Sequence, residues 1–299
     1  MAKPGSFIER LKPTMLVTVA AERTLRQRLQ PLIRLLKQVR CGQQISDDSI
    51  HQLRVGSRRA AAALNLYRPL LPASSVKWWR RRLRKLRRAA GPLRNLDVLL
   101  RRLDRQPVSK PLQERLQDER HQRLTPLRRR LDKLPAIERL QERMKELLAA
   151  INWDDGDAPT FVEWSKAPLM SAVESFLAAE PAERRNLEQL HQFRVAGKRL
   201  RYTLELLAPA IEAPGDELYS AVEELQSRLG AIQDHHDACR RLSDELDKLT
   251  DVADIGRLTA LIQSEAQALI RDVNAFWKFW RGIKPGLRAL RKSRRSRSR

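Results

Sequence analysis

His51-Gln52-Leu53-Arg54-Val55-Gly56-Ser57-Arg58-Arg59 returns 140 residues later as His191-Gln192-Phe193-Arg194-Val195-Ala196-Gly197-Lys198-Arg199. Between residues 51–70 and 191–210, eight of twenty positions are identical in one unbroken register, ending at Pro69 and Pro209. Ser46 and Asn186 keep the same offset, and both residue types suit the N-cap of the helix that follows, because a short side-chain oxygen can accept an unpaired first-turn N–H. A second match lies at an offset of 139, where Ala90-Gly91-Pro92-Leu93-Arg94-Asn95 pairs with Leu229-Gly230-Ala231-Ile232-Gln233-Asp234. A period near 140 residues is too long for a solenoid repeat and fits a duplicated domain. Asp154, Asp155, Gly156, Asp157 and Pro159 cluster as a linker between the halves. The expected organisation is a first half over 10–150, a second over 159–282 and a tail over 285–299.

Composition sets the class. The 299 residues include 59 Lys/Arg against 36 Asp/Glu, a formal charge of +23, with 5% aromatics and only 11 Gly. Leu, Ala, Arg, Glu and Gln dominate without strand-like alternation, so an all-α fold is expected. Plausible helices span 14–40, 47–70, 74–90, 93–105, 110–133, 136–150, 163–180, 187–208, 215–229, 231–249 and 253–281. Gly42, Pro72, Gly91, Pro107, Pro135, Pro181 and Pro214 read as their breaks. Long helices with short connections make two similar bundles.

The charge is uneven. Residues 1–150 hold 36 basic and 13 acidic residues, residues 151–283 hold 15 and 23, and residues 284–299 hold eight basic residues and no acidic ones. A basic first half points to a polyanionic partner. The tail, with Pro285 and Gly286 at its start and few apolar residues, reads as disordered and able to attract nucleic acid nonspecifically.

Helical spacing sorts the repeated segment into two faces. Leu53, Ala60, Leu64 and Tyr67 form a core stripe, with His51, Arg54 and Arg58 opposite. In the second copy, Phe193, Leu200, Leu204 and Leu207 oppose His191, Arg194, Lys198 and Arg201. His51 to Arg58 spans about 10 Å at 1.5 Å per residue, a length that suits successive phosphates, for which Arg supplies a planar fork of donors. A charged face usually just meets water, but the His and the basic positions recur although packing needs neither. Arg59 and Arg199 complete the basic lining. The next helix of the first half sets Lys77, Arg80, Arg84, Arg87 and Arg88 on one face and Trp79, Leu83, Leu86 and Ala90 on the packing side, with Arg81 and Arg94 extending the basic surface. The matching second-half positions are Asp216, Tyr219, Glu223, Gln226 and Ser227, so the stronger anion surface belongs to the first half.

Several chemistries lack their residues. Two cysteines, Cys41 and Cys239, exclude a disulfide scaffold and a four-thiolate metal site, and fit a reduced, cytosolic setting. No apolar run approaches the roughly 18 residues that would span a bilayer, and no leader peptide is recognisable, so no membrane association is expected. His235-His236-Asp237 evokes a helical metal-dependent phosphohydrolase, but the further ligands are scarce, and a polar helix start is the simpler reading. There is no P-loop, dinucleotide fingerprint, zinc-protease helix or nucleophile elbow. No enzyme activity, cofactor or metal is expected. The Trp residues read as core.

At His51-Gln-Leu-Arg-Val with Arg58-Arg59, at His191-Gln-Phe-Arg-Val with Lys198-Arg199, and at Gly91…Asp97-Val98 and Leu229-Gly230…Asp234, the sequence resembles the CHAD domain, the conserved-histidine α-helical domain. The resemblance covers about residues 10–282. It implies two helical bundles related by a pseudo-twofold axis, with His and basic residues lining a central positive channel. It further implies binding of inorganic polyphosphate and association with polyphosphate granules in the bacterial cytoplasm. Asn95 stands where the family often has Asp. The rivals are a nucleic-acid-binding basic helical protein, which the same +23 would serve, and a phosphate-chemistry enzyme, which would need carboxylates on the basic face.

Overall fold

The computed structural model describes residues 7–42, 45–103, 110–211 and 215–295. Nine α-helices are found among them: α1 (Val17–Cys41), α2 (Asp47–Leu66), α3 (Ala73–Leu103), α4 (Lys110–Asp132), α5 (Ile137–Ala149), α6 (Phe161–Ala178), α7 (Leu187–Leu207), α8 (Gly215–Leu246) and α9 (Val252–Arg295). The chain divides into two compact units. The N-terminal unit is Ile8–Phe161, and the C-terminal unit runs from Val162 onward with Phe7.

In the N-terminal unit, α1, α2 and α3 bury Leu25, Leu29, Ile50, Leu53, Leu64 and Leu86 at under 2% exposure. The fully buried Tyr67 adds its ring, its hydroxyl 3.3 Å from Thr24 Oγ1, and burial pushes its ionisation well above the ordinary phenol value. The acidic linker is pinned rather than loose. Asn152 N–H donates to the Leu70 carbonyl at 3.2 Å, Val17 N–H to Pro159 at 2.9 Å, and Phe161 N–H to Met15 at 2.6 Å. The C-terminal unit is built on aromatic rings. Phe176 and Phe193 stack at 4.6 Å, and Trp280 meets both edge-on at 5.6 and 5.1 Å.

Both repeated helices start as their caps dictate. Ser46 Oγ accepts the Ser49 N–H at 3.1 Å and Asn186 Oδ1 accepts the Gln189 N–H at 3.0 Å, with Asp47, Asp48 and Glu188 favourably placed against the helix dipole. Each helix ends in a proline-bearing 3-10 turn, Arg68–Leu70 or Ala208–Ala210, that turns the chain toward a long partner helix.

Three expectations are corrected. The break at Gly91 is absent, because α3 runs unbroken through Gly91-Pro92. An interior Pro costs about 3 kcal/mol, but Leu93, Leu96 and Leu99 beyond it are all buried, at about 1.5–3 kcal/mol each. Likewise α8 passes through Gly230 and carries Leu229 and Ile232 into the core. The tail is not disordered from Pro285: α9 continues through it to Arg295. Leu287 beyond it is buried at 2%, and Lys284 Nζ donates to Glu180 Oε1 at 2.6 Å, a carboxylate that also accepts from Trp280 Nε1 at 2.8 Å. The expected breaks at Pro107 and Pro214 and the last tail residues, 296–299, lie outside the described residues.

Candidate functional site

The core stripe of α2 turns Leu53, Ala60 and Leu64 inward, and its other flank meets α3. The α2 stripe and the α3 basic face, read separately in the sequence, come together in one seam. Arg54 crosses from α2 and donates through Nη1 to the Arg87 carbonyl at 3.3 Å. Arg87 crosses back and donates through Nη1 to the Ser57 carbonyl at 2.9 Å. Ser57, fully buried, returns its hydroxyl to the Leu53 carbonyl at 2.6 Å. Gly91 admits this crossing, because a Cβ there would stand 3.1 Å from Arg54 Nη1.

The crossing fixes two guanidiniums on carbonyls, so both helices keep their basic edges side by side. His51, Lys77, Arg80, Arg81, Arg84 and Arg88 are exposed, and Arg58, Arg59 and Arg94 are half-buried. Farther along α3, Asp97 is 3% exposed and binds Arg120 of α4 at 2.7 Å. Its other oxygen, Oδ2, is buried without a hydrogen-bond partner. Burial pushes the Asp97 carboxyl up, and the hydrogen bond and charge of Arg120 only partly offset it.

The α7–α8 seam is built differently. His191 Nδ1 lies 2.7 Å from Gln233 Oε1; an amide oxygen only accepts, so the ring donates from Nδ1. Gln233 Nε2 then donates to Asp237 Oδ1 at 3.0 Å. His191, Gln233, His236, Asp237 and Arg240 line a cleft with Glu188 and Gln192. Lys198 and Arg194 are half-buried and Arg199 is exposed. Arg201 is occupied by its own helix: Nε lies 3.4 Å from Glu205, a carboxylate only 1% exposed, which also accepts from the Tyr219 hydroxyl at 3.4 Å. The C-terminal unit thus answers part of its positive charge internally.

His236 and Asp237 join His191, although the sequence placed them at a helix start. They fall inside α8 because that helix does not break at Gly230. The available signal was the 139-residue offset, which pairs Gln233 with Arg94 and His236 with Asp97. The adjacent His235 is a clamp, with Nδ1 2.5 Å from Glu265 and Nε2 3.5 Å from Asp272, both on α9. Among the described residues, no group of three or more His, Cys, Asp or Glu side chains is arranged to hold a metal ion, and no helix is long and apolar enough to cross a membrane.

The CHAD domain family model matches residues 23–243. The chain belongs to the CHAD domain family. Its fold is similar to that of the CHAD domain from the plant Ricinus communis, with a TM-score of 0.72 and 21% identity over 92% of this chain and 94% of that one. It is also similar to PptA from Streptomyces chartreusis, with a TM-score of 0.67 and 16% identity over 90% of this chain and the whole of that one. No curated protein sequence matches the chain significantly. The match spans α2, α3, α7 and most of α8, so both histidine helices and their partners lie within this CHAD domain.

Proposed function

We propose that this CHAD domain binds inorganic polyphosphate without catalysing its turnover, and that the α2–α3 seam is the principal contact. The observation that carries this reading is the reciprocal crossing of Arg54 and Arg87, which holds the basic edges of two helices together although like charges repel. A polyanion supplies the missing counter-charge, and Arg donors at helical spacing suit successive phosphates. Family membership supports polyphosphate as that polyanion, and granule association in the cytoplasm follows from it. The finer reading is a duplicated chain whose His51 and His191 helices both contribute to one basic channel. Long polyphosphate, tripolyphosphate and duplex DNA, titrated at matched phosphate concentration and physiological salt, test the proposal. Long polyphosphate is expected to bind tightest and to outlast DNA as salt rises, with counterion release making both steeply salt-dependent. Equal competition by DNA would replace this reading with a general nucleic-acid-binding one, and phosphate release on incubation would overturn the non-catalytic role.

A further inference from the structure

Helix α3 carries cations on its flank away from α2 as well, with Arg81 between the two flanks at helical spacing. At about 100° per residue, Arg80, Arg84, Arg87 and Gly91 lie on the α2 side of its buried stripe, whereas Trp78, Arg82 and Lys85 lie about 160° away around the axis. On that second flank the guanidinium of Arg82 rests on the Trp78 ring, its Cζ 3.5 Å from the ring centroid, and Nη1 donates to the Trp78 carbonyl at 3.2 Å. Arg143 of α5 approaches the same ring, with Cζ 5.3 Å from the centroid. Lys85 stands one turn further along α3. The charge of Arg81 depresses its pKa, with burial and the nearby Arg130 and Arg82 adding to the effect. Arg82 is depressed too, by burial first and then by Arg81 and Arg143. Arg82 and Arg143 therefore flank one indole, with Lys85 beside them on α3 and Arg81 and Arg130 near enough to Lys85 to repel it, five cations from three helices. Glu146 accepts from Arg143 at 2.9 Å but also from Arg139 at 3.3 Å, so this carboxylate is divided between two guanidiniums.

Such crowding opposes folding unless an anion joins it. The indole indicates which anion. With the Arg82 guanidinium already stacked on it, Trp78 is a support for a donor and not a platform for a nucleobase. We propose that Arg82 and Arg143 on Trp78, with the neighbouring Lys85, Arg81 and Arg130, form a second phosphate-chain site centred on the flank of α3 away from α2. This rests on the reading of the seam as a polyphosphate site: the N-terminal unit then engages two separate runs of phosphates, one on each side of α3.

The full chain tests this by isothermal titration with tripolyphosphate, too short to reach both flanks, and with long polyphosphate, both at physiological salt. A triple variant, Lys85→Gln with Arg130→Gln and Arg143→Gln, keeps the Arg82–Trp78 stack. It is expected to bind one tripolyphosphate fewer per chain than wild type, to lose at least tenfold in affinity for long polyphosphate, and to show a shallower salt dependence. Lys85→Gln alone, which leaves the Arg82–Trp78 stack and the Arg143–Glu146 pair in place, is expected to cost a few-fold and guards against misfolding of the triple variant. Unchanged stoichiometry and affinity in both variants, with wild type binding normally, would overturn the second site while leaving the seam intact. Loss of duplex DNA binding with polyphosphate binding unchanged would overturn it in favour of a nucleic-acid surface. Failure of wild type to bind either phosphate chain would overturn the seam reading and this one together.

Discussion

The α2–α3 and α7–α8 seams share sequence at matched positions but differ in what crosses between the helices. In the first, guanidiniums cross: Arg54 reaches the Arg87 carbonyl and Arg87 reaches Ser57. In the second, the position matching Arg87 is Gln226, 7% exposed, whose amide presses against Gly197 so closely that a Cβ there would lie 2.2 Å from Nε2. Leu225 and Phe176 each stand 3.2 Å from the same point. The position matching Arg94 is Gln233, which receives His191. Replacing long cations by short amides turns a seam that gathers charge into one that packs. The same helical frame gathers guanidiniums or packs amides according to two side chains on the partner helix.

The largest expected effect separates the two seams by affinity. Arg58→Ala with Arg84→Ala should weaken long polyphosphate at least tenfold in isothermal titration, since each charge-assisted contact is worth about 1.5–3 kcal/mol. Arg194→Ala with Lys198→Ala should lose less, because Gln and acidic groups already dilute the charge of the C-terminal seam. Equal losses would erase the contrast.

Packing supplies the next test. Leu287→Ala, in the C-terminal unit, should lower stability by about 2–5 kcal/mol in chemical denaturation, because Leu287 is buried beyond Pro285. An unchanged midpoint would mean that the end of α9 is not docked. Gly197→Ala should cost about 1–3 kcal/mol by overpacking, less what helix propensity returns. The reciprocal Ser57→Gly should cost only about 1 kcal/mol, from helix propensity and a lost hydroxyl bond. A stabilised Gly197→Ala would show that the α7–α8 seam has room, contrary to the contacts around it.

The smallest effect concerns two carboxylates, one in each unit, that respond to acid in opposite directions. Burial raises Asp97, so the native state takes up its proton first and stability grows as pH falls through that raised value. Burial would also raise Glu180, but hydrogen bonds from Lys284 and Trp280, with the charges of Lys284 and Arg288, outweigh it and hold the carboxyl below its ordinary value. Its contribution is present above the ordinary glutamate range and is lost as pH falls through the lowered one. Thermal melts across acidic pH should therefore show Asp97→Asn removing a gain and Glu180→Gln removing a loss. The same direction in both variants would contradict the two environments.

Much of this was legible in residue order. Ser46 and Asn186 announced their helices because capping is local, requiring only an oxygen within reach of an N–H three residues on. The stripes of α2 and α7 followed from a 3.6-residue period, and Leu53, Leu64, Phe193 and Leu200 are buried as it requires. Trp79, Trp277 and Trp280 are core, while Trp78 is a half-buried support for arginines. The failures were also local rules, applied where a longer-range force decided. Gly91-Pro92, Gly230 and Pro285 look like helix ends because each weakens its own turn, yet α3, α8 and α9 run on.

The amino-acid order by itself determined the helical class, the caps, the buried stripes and the concentration of positive charge in the first half, because each depends on composition or on neighbours within one or two turns. Only the tertiary structure decided that Arg54 and Arg87 exchange carbonyls across α2 and α3, that His191 belongs with Gln233 and His236, that His235 is clamped to α9, and that the basic tail begins as a docked helix. Those outcomes turn on which faces meet. A buried leucine beyond a proline can outweigh the hydrogen bond the proline removes, and no stretch of sequence carries the partner surface that buries it.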